Sequence, residues 1–548
     1  MKSFSVFLVF ILTAFPVVAQ TDTNAVVVPA DTNTPVASTA AGTVMPTNAS
    51  ATAVAMAPNS TVREMSLVDC IQEALQHNFG LQIGRYGPQI SLYNLRASYS
   101  SYDPTFNLSG THRYNTDILS TNGFNAITPL ATNFVLFPRT SSKQNSFSSD
   151  LGASLPWGLD YDFVANLQQN YGINYFGTTN LHSFPSKDTA GSAEVDLTQH
   201  LLKDFWIDTT RLNIRVAKNR LKFTEQTLRG LFIDTITKVE NAYYELIFAR
   251  ENVQVQQEAL DLAQTQLDQD RQRVQIGTLA QLDVQQDEAQ VAEKRASLIA
   301  AQFALATAQN SLKGLITDQY VLWHDTDIYP TETITNAPLQ LFDLQDSWNK
   351  GLTGRPDILQ ARLDAERQGI QLKFDRNQLF PTLDLVGSYG YAGASRDYDG
   401  TIDEVGRGDR PYYTYGARLS YPLGNIGARN GYKDDKVTEK QLLLNVKQLE
   451  QGIMVEIDNQ IKNAQSTYES VGATRQARIY AEAALDAEQK KYAVGKSTTF
   501  FVLQLQNTLT ADRGNEIRAL ASYYQALANL AAAEGSTLER HHITVEAR

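Results

Sequence analysis

Apolar and small residues between Asp204 and Leu315 recur every three or four positions, the spacing of one helix face. This stretch has no proline and only three glycines, Gly230, Gly277 and Gly314. It predicts one very long helix, a tight turn at Gly277-Thr278-Leu279 and a second helix returning alongside. The outgoing seam is Ile214, Ala217, Leu221, Thr224, Leu228, Leu231 and Thr235. The returning seam is Ala289, Ala292, Ala296, Ile299, Phe303, Ala306 and Asn310. Both alternate steps of three and four, as coiled coils do. A helix from Phe205 to Ile276 would span about 108 Å at ~1.5 Å per residue, so it must bridge a distance. A related hairpin runs from about Arg429 to Leu538 and turns at Gly495-Lys496-Ser497.

Elsewhere the period is two. Pro104 opens a strand in which Phe106, Leu108 and Gly110 alternate with polar neighbours, and Pro381 opens another with Leu383, Leu385, Gly387 and Tyr389. Strand patterning also covers Phe147 to Leu155, Tyr161 to Leu167, Ala193 to Leu197 and Tyr413 to Tyr421. Pro156-Trp157-Gly158 reads as a hairpin turn. Residues 116–144 read as a loop, and Ser66 to about Tyr99 as one helix capped by Ser66. Thr317 to Thr353 reads as an unpatterned connector.

The chain repeats itself. Pro104 to Gly110 matches Pro381 to Gly387, and Leu81 and Leu95 match Ile358 and Leu372, all offset by 277. Arg211 matches Arg429 and Gly277 matches Gly495 at an offset of 218. Each half is therefore helix, strands, long helix, tip and returning helix. The fold expected is mainly α with a β-barrel portion. Residues 63–316 form the first repeat, 317–353 the connector, 354–538 the second repeat and 539–548 a C-terminal tail. The stretch between Thr111 and Ala190 is extra in the first half. It either lengthens strands, forms outer loops or adds strands.

Composition narrows the function. A net charge of -12 with no Lys/Arg-rich block argues against nucleic-acid binding. Residues 1–19 read as a signal peptide, and 20–62 as a disordered Ala/Thr/Pro-rich leader. No later apolar run reaches the ~18 residues of a membrane-spanning helix. Alternating strands rich in Tyr and Phe suit a barrel, the other structure able to satisfy its backbone in lipid. The lone Cys70 reads as a packed residue and His541-His542 as a solvated tail. No enzyme motif, cofactor site or metal site is evident. Asp268, Asp270, Asp283, Asp287 and Glu288 read as a solvated helix face.

His77-Asn78, Leu197-Thr198-Gln199, Arg355-Pro356-Asp357-Ile358 and the two tip sequences, Ile276 to Val284 and Tyr492 to Leu503, together resemble the TolC-type outer-membrane efflux and secretion channel family. The resemblance covers about residues 64–538. It implies a homotrimer in outer-membrane lipid, with four strands per chain in a shared barrel and helices lining a periplasmic tunnel. It also implies that Gly277, Thr278, Leu279, Gly495 and Lys496 meet a periplasmic adaptor (membrane fusion) protein fed by an inner-membrane pump of RND, ABC or MFS type. Asp283 and Tyr492 match positions of polar links that hold such tips shut. The family's tip arginine falls at Ser497, leaving Lys496 as its nearest substitute. The family's acidic pore rings fall at Phe501 and Gln504, so an apolar or polar constriction is expected here. The rival from another class is a non-conducting coiled-coil adhesin or stalk anchored at the surface.

Overall fold

The computed structural model describes residues 62–118, 139–176 and 182–545. The expected signal peptide and nearly all of the expected leader lie outside these residues. Strand β1 (Val62–Met65) leads into α1 (Leu67–His77) and α2 (Phe79–Ala97). Ser66 caps α1 through a reciprocal pair of bonds with Asp69. The single helix expected from 66 to 99 is broken at Asn78. There ψ is 120°, and the side chain accepts from Leu81 N while donating to Leu315 O at 2.9 Å.

Four strands follow: β2 (Thr105–Ile118), β3 (Arg139–Ser154), β4 (Leu159–Phe176) and β5 (His182–His200). Pro104 directly precedes the first. The loop expected over 116–144 is corrected at both ends, because β2 runs to Ile118 and β3 starts at Arg139. The polar residues that suggested a loop lie on both faces of these strand ends. Pro156-Trp157-Gly158 is the expected turn, with Gly158 at φ 80°.

The long arms are α3 (Thr209–Gln275) and α4 (Gln281–Ile316). Asp208 caps α3 by accepting from Arg211 N. Its 67 residues make a rod of about 100 Å. The connector is more ordered than its composition suggested. It contains α5 (Tyr320–Trp323), β6 (Asp327–Pro330), which pairs in parallel with β1, and α6 (Leu344–Gly354). The second repeat gives α7 (Pro356–Gln378), β7 (Thr382–Ser395), α8 (Tyr398–Arg407), β8 (Pro411–Ser420), α9 (Ile426–Ala493) and α10 (Thr499–Glu534). Short α11 (Thr537–Arg540) closes the chain.

The repeat holds at the level of element bounds. Strand β7 is β2 displaced by 277 residues at both ends, and α10 is α4 displaced by 218 at both ends. Leu81 and Ile358, equivalent in the repeat, are both fully buried. Arg355 fixes the start of α7 through Asp357, Glu456 Oε2 (2.6 Å) and Ala533 O (3.1 Å).

Helices α4, α3, α10 and α9 pack side by side in that order toward the tips, while α7 lies between α3 and α9 nearer the sheet. Arg518–Glu245 and Arg513–Glu258 tie α10 to α3. The largest core lies at mid-height, where Cys70, Leu81, Ile236, Tyr243, Leu312, Ile328 and Tyr523 are shut from solvent. Burial pushes the Cys70 thiol up to about 12, so it is a packing residue. His541 corrects the expected solvated tail: its Nε2 lies 2.9 Å from Oε1 of the buried Glu240, docking the C-terminus on α3.

The antiparallel sheet has the order β2-β3-β4-β5-β7-β8. The four strands per chain implied by the resemblance are corrected to six among the described residues. One face carries Phe106, Leu108, Phe147, Phe163, Leu167, Tyr389 and Tyr413. The opposite face pairs Asn107 with Asp150, Ser109 with Ser148 and Thr111 with Ser146. Helix α8 lies on the apolar face, close enough that a Cβ on Gly393 would sit 2.7 Å from Thr401 O.

Candidate gate at the hairpin tips

Both long hairpins turn in the same way. Gly277 has φ 76° and Gly495 φ 73°, left-handed values that favour glycine. At the first tip Gly277 N donates to Val274 O and Thr278 N to Arg273 O. At the second, Gly495 N donates to Tyr492 O and Lys496 N to Lys491 O. These paired bonds satisfy carbonyls that a helix end would leave open. Thr278, Gly277, Gly495 and Lys496 are exposed and Leu279 is half-buried, and Ile276 and Val494 beside the glycines are exposed too.

Behind the turns a polar cluster joins the hairpins. Tyr492, 8% exposed, donates from Oη to Asp270 Oδ1 at 2.7 Å and lies 3.0 Å from Thr499 Oγ1. Gln266 Nε2 donates to Asp270 Oδ2 at 2.7 Å. The Arg273 guanidinium stacks 4.4 Å above the Tyr492 ring and reaches Asp270 Oδ1 at 3.5 Å. Burial pushes the Tyr492 phenol above its usual range, and the Asp270 carboxylate adds to this.

Asp287, on α4, sits beside this cluster. It is 1% exposed, and neither oxygen accepts a hydrogen bond. Burial, then the Asp270 carboxylate, pushes its carboxyl up to about 7. A second charge beside the Asp270 carboxylate in so dry a place is costly, which favours the protonated form of Asp287. This corrects the expected solvated face for Asp270 and Asp287. Ala263, Gln266 and Asp270 continue the three-four seam of α3, and for Asp270 that position was the signal in the sequence. Val284 and Asp287 lie off the seam expected on α4, on the opposite side of the helix.

Of the two residues matched to polar links, Tyr492 bonds Asp270 within the chain. Asp283 is half-buried in the first turn of α4, where a carboxylate favours the helix N-terminus. Ser497 donates to Glu488 Oε1, and Lys491 Nζ lies 2.8 Å from Glu488 Oε2. Lys491 first, then Ser497, holds the Glu488 carboxyl below its usual range. Lys496 has an exposed side chain. Phe501 and Gln504 are exposed one turn apart on α10, and Phe500 packs edge-on against Phe501 at 5.6 Å. Among the described residues no group of three or more His, Cys, Asp or Glu could hold a metal ion.

Duplicated hairpins of about 100 Å, joined to an alternating antiparallel sheet and latched by polar contacts at their tips, are the build of an outer-membrane channel with a helical tunnel. The chain belongs to the outer membrane efflux protein family, whose sequence model matches residues 166–317 and 349–536. Outer membrane protein TolC of Escherichia coli strain K12 is 25% identical over 408 residues, 73% of this chain and 77% of the relative. The pyoverdine export outer membrane protein OpmQ of Pseudomonas aeruginosa is 24% identical over 355 residues, 64% of this chain and 71% of the relative. The Campylobacter jejuni CmeC outer membrane channel shares the fold with a TM-score of 0.60 at 15% identity, over 86% of each chain. The open-state MtrE channel of Neisseria gonorrhoeae does so with 0.59 at 15%, over 86% of this chain and 89% of its own. The protein is thus an outer-membrane protein of a Gram-negative bacterium with a long periplasmic helical part.

Proposed function

We propose that the protein is the trimeric exit duct of a tripartite efflux pump or type I secretion system. Small molecules or polypeptides would pass through it passively from periplasm to exterior. A periplasmic adaptor would engage the tips around Gly277 and Gly495, fed by an inner-membrane pump of RND, ABC or MFS type. The gate would be the tip cluster of Asp270, Asp287, Arg273 and Tyr492, with Asp283, Lys496 and Ser497 at its margin and Phe501 and Gln504 in the constriction.

One observation carries the trimer. Every residue of the returning seam, Ala289, Ala292, Ala296, Ile299, Phe303, Ala306 and Asn310, is exposed on α4, with Phe303 75% accessible. The residues α4 buries within its own chain are instead Val284, Asp287, Lys294, Leu298, Ala301, Ala308 and Leu312, on the opposite side of the helix. At the other edge of the helical layer, α9 exposes a second such seam: Ser466, Ser470, Ala473, Ala477, Tyr480, Ala484 and Ala487. Counted from the tip glycines the two seams are level: Ala296 is 19 residues from Gly277, and Ala477 is 18 from Gly495. In this register large side chains meet small ones, Phe303 against Ser470, Ile299 against Ala473 and Tyr480 against Ala292. Helix α4 of one copy therefore fits α9 of the next, as a coiled-coil seam requires.

The test is the double variant Ala296→Cys with Ala477→Cys, oxidised in membranes and run on a non-reducing denaturing gel. A covalent trimer is expected, with neither single variant cross-linking. Cys70 is fully buried and does not compete. A ladder confined to monomer would remove the interface and favour the non-conducting stalk.

A further inference from the structure

The duplicated unit accounts for four strands of the sheet: β2 and β7 as equivalents after Pro104 and Pro381, and β5 and β8 as the strands leading into α3 and α9. The remaining pair, β3 and β4, comes from the extra segment of the first half. It is neither an outer flap nor a lengthening of existing strands. It lies between β2 and β5, paired from Thr105↔Gly152 to Ile118↔Arg139 on one side and from Leu159↔Gln199 to Phe176↔His182 on the other. Its turn is held at the helical end of the sheet. Gln199 Nε2 donates to Trp157 O and Gly158 O at 3.3 and 3.1 Å, and Arg211 at the start of α3 donates to Pro156 O.

The inserted strands also keep the two-faced pattern. Phe147, Leu151, Phe163 and Leu167 continue the apolar face. Asp150 and Asp162 continue the polar one, where Asp162 lies directly opposite Asp196. Like charges opposed on adjacent strands are destabilising, and water relieves them. The polar face is therefore the wet one across all six strands, and the apolar face is the lipid one outside the patch that α8 covers.

Two edges remain open. Among the described residues β2 pairs only with β3, and β8 only with β7. In a membrane an open sheet edge leaves peptide groups without partners, at several kcal/mol each. Strand β2 runs away from the helical end and β8 runs back toward it, so β8 of one copy meets β2 of the next antiparallel.

We propose that the inserted hairpin makes the shared barrel an eighteen-stranded one, closed by β8–β2 pairing between three copies, in place of a twelve-stranded barrel with four strands per chain. This rests on the trimeric reading above. At ~40° tilt and ~4.8 Å spacing, the backbone diameter is about 36 Å for eighteen strands and about 24 Å for twelve. The helical layer gains nothing from the insertion, so only the outer mouth widens, and selection by size falls to the tips.

Electron cryo-microscopy of the full-length protein in lipid nanodiscs tests this directly. The expected particle has three copies and eighteen barrel strands, with β3 and β4 in the wall and β8 against β2 of a neighbour. A trimer with twelve wall strands and the β3–β4 hairpin outside the wall would overturn the inference and leave the trimeric reading standing. Any other copy number would overturn both.

Discussion

Asp287 is the residue at which burial and charge conflict most openly. In an unfolded chain its carboxyl ionises near 3.8, whereas in the folded tip it holds its proton to about 7. Between those values the folded state binds the extra proton, so raising the pH across this window weakens the tip. The charges facing it are Asp270 and Arg273 on α3, Asp283 on its own helix and the Tyr492 phenol on α9. Hydrogen exchange at residues 266–290, corrected for intrinsic rates, should rise with pH from about 5 to 7, by up to about tenfold per pH unit. In Asp287→Asn, whose amide can donate to Asp270 at any pH, that excess should vanish. An excess of the same size in both proteins would remove Asp287 as its source. The sequence did not disclose this pair because an aspartate on a polar helix is usually solvated; the seam period marks the burial of Asp270, but Asp287 lies opposite the seam expected on its helix.

At the scale of elements, the parts that repeat were the parts that could be read. Proline before each first strand, glycine at each tip and matched apolar residues at a constant offset all mark backbone needs that few residues meet. Leu81 and Ile358 occupy equivalent fully buried sites behind the N-caps of α2 and α7. Leu81→Ala and Ile358→Ala should each cost about 2–5 kcal/mol, seen as an earlier loss of helical circular dichroism on heating. Leu95→Ala, at a half-buried site, should cost less. Equal melting of all three would contradict the shared packing. What has no counterpart in the repeat was not legible. Helix α8 lies between two expected strands, in a stretch where no element was expected, and the polar stretch before Phe147 concealed the length of β3. The α4 seam had the right period but the wrong partner. A three-four pattern says that a face is covered, not by which chain.

At the scale of the molecule, several exposed apolar groups lie on boundaries that a second copy or lipid would cover. The edge helices expose Ile83, Tyr86, Ile90 and Tyr93 on α2, Ile299 and Phe303 on α4 and Tyr480 on α9, while the sheet exposes Leu108, Tyr413 and Tyr415. Patches of this size on a chain standing alone would favour aggregation. The proposed trimer would bury the α4 and α9 residues between chains, and the membrane would cover those of the sheet. The tips are then the place where three copies of the Tyr492 cluster must separate for anything to pass. Single-channel recording in planar lipid bilayers tests this most directly. The native protein should insert as a low-conductance closed channel, and Tyr492→Phe, which removes the bond to Asp270 while keeping the ring under Arg273, should conduct several-fold more. Absence of discrete conductance from both proteins, with insertion verified, would contradict the account of a gated duct.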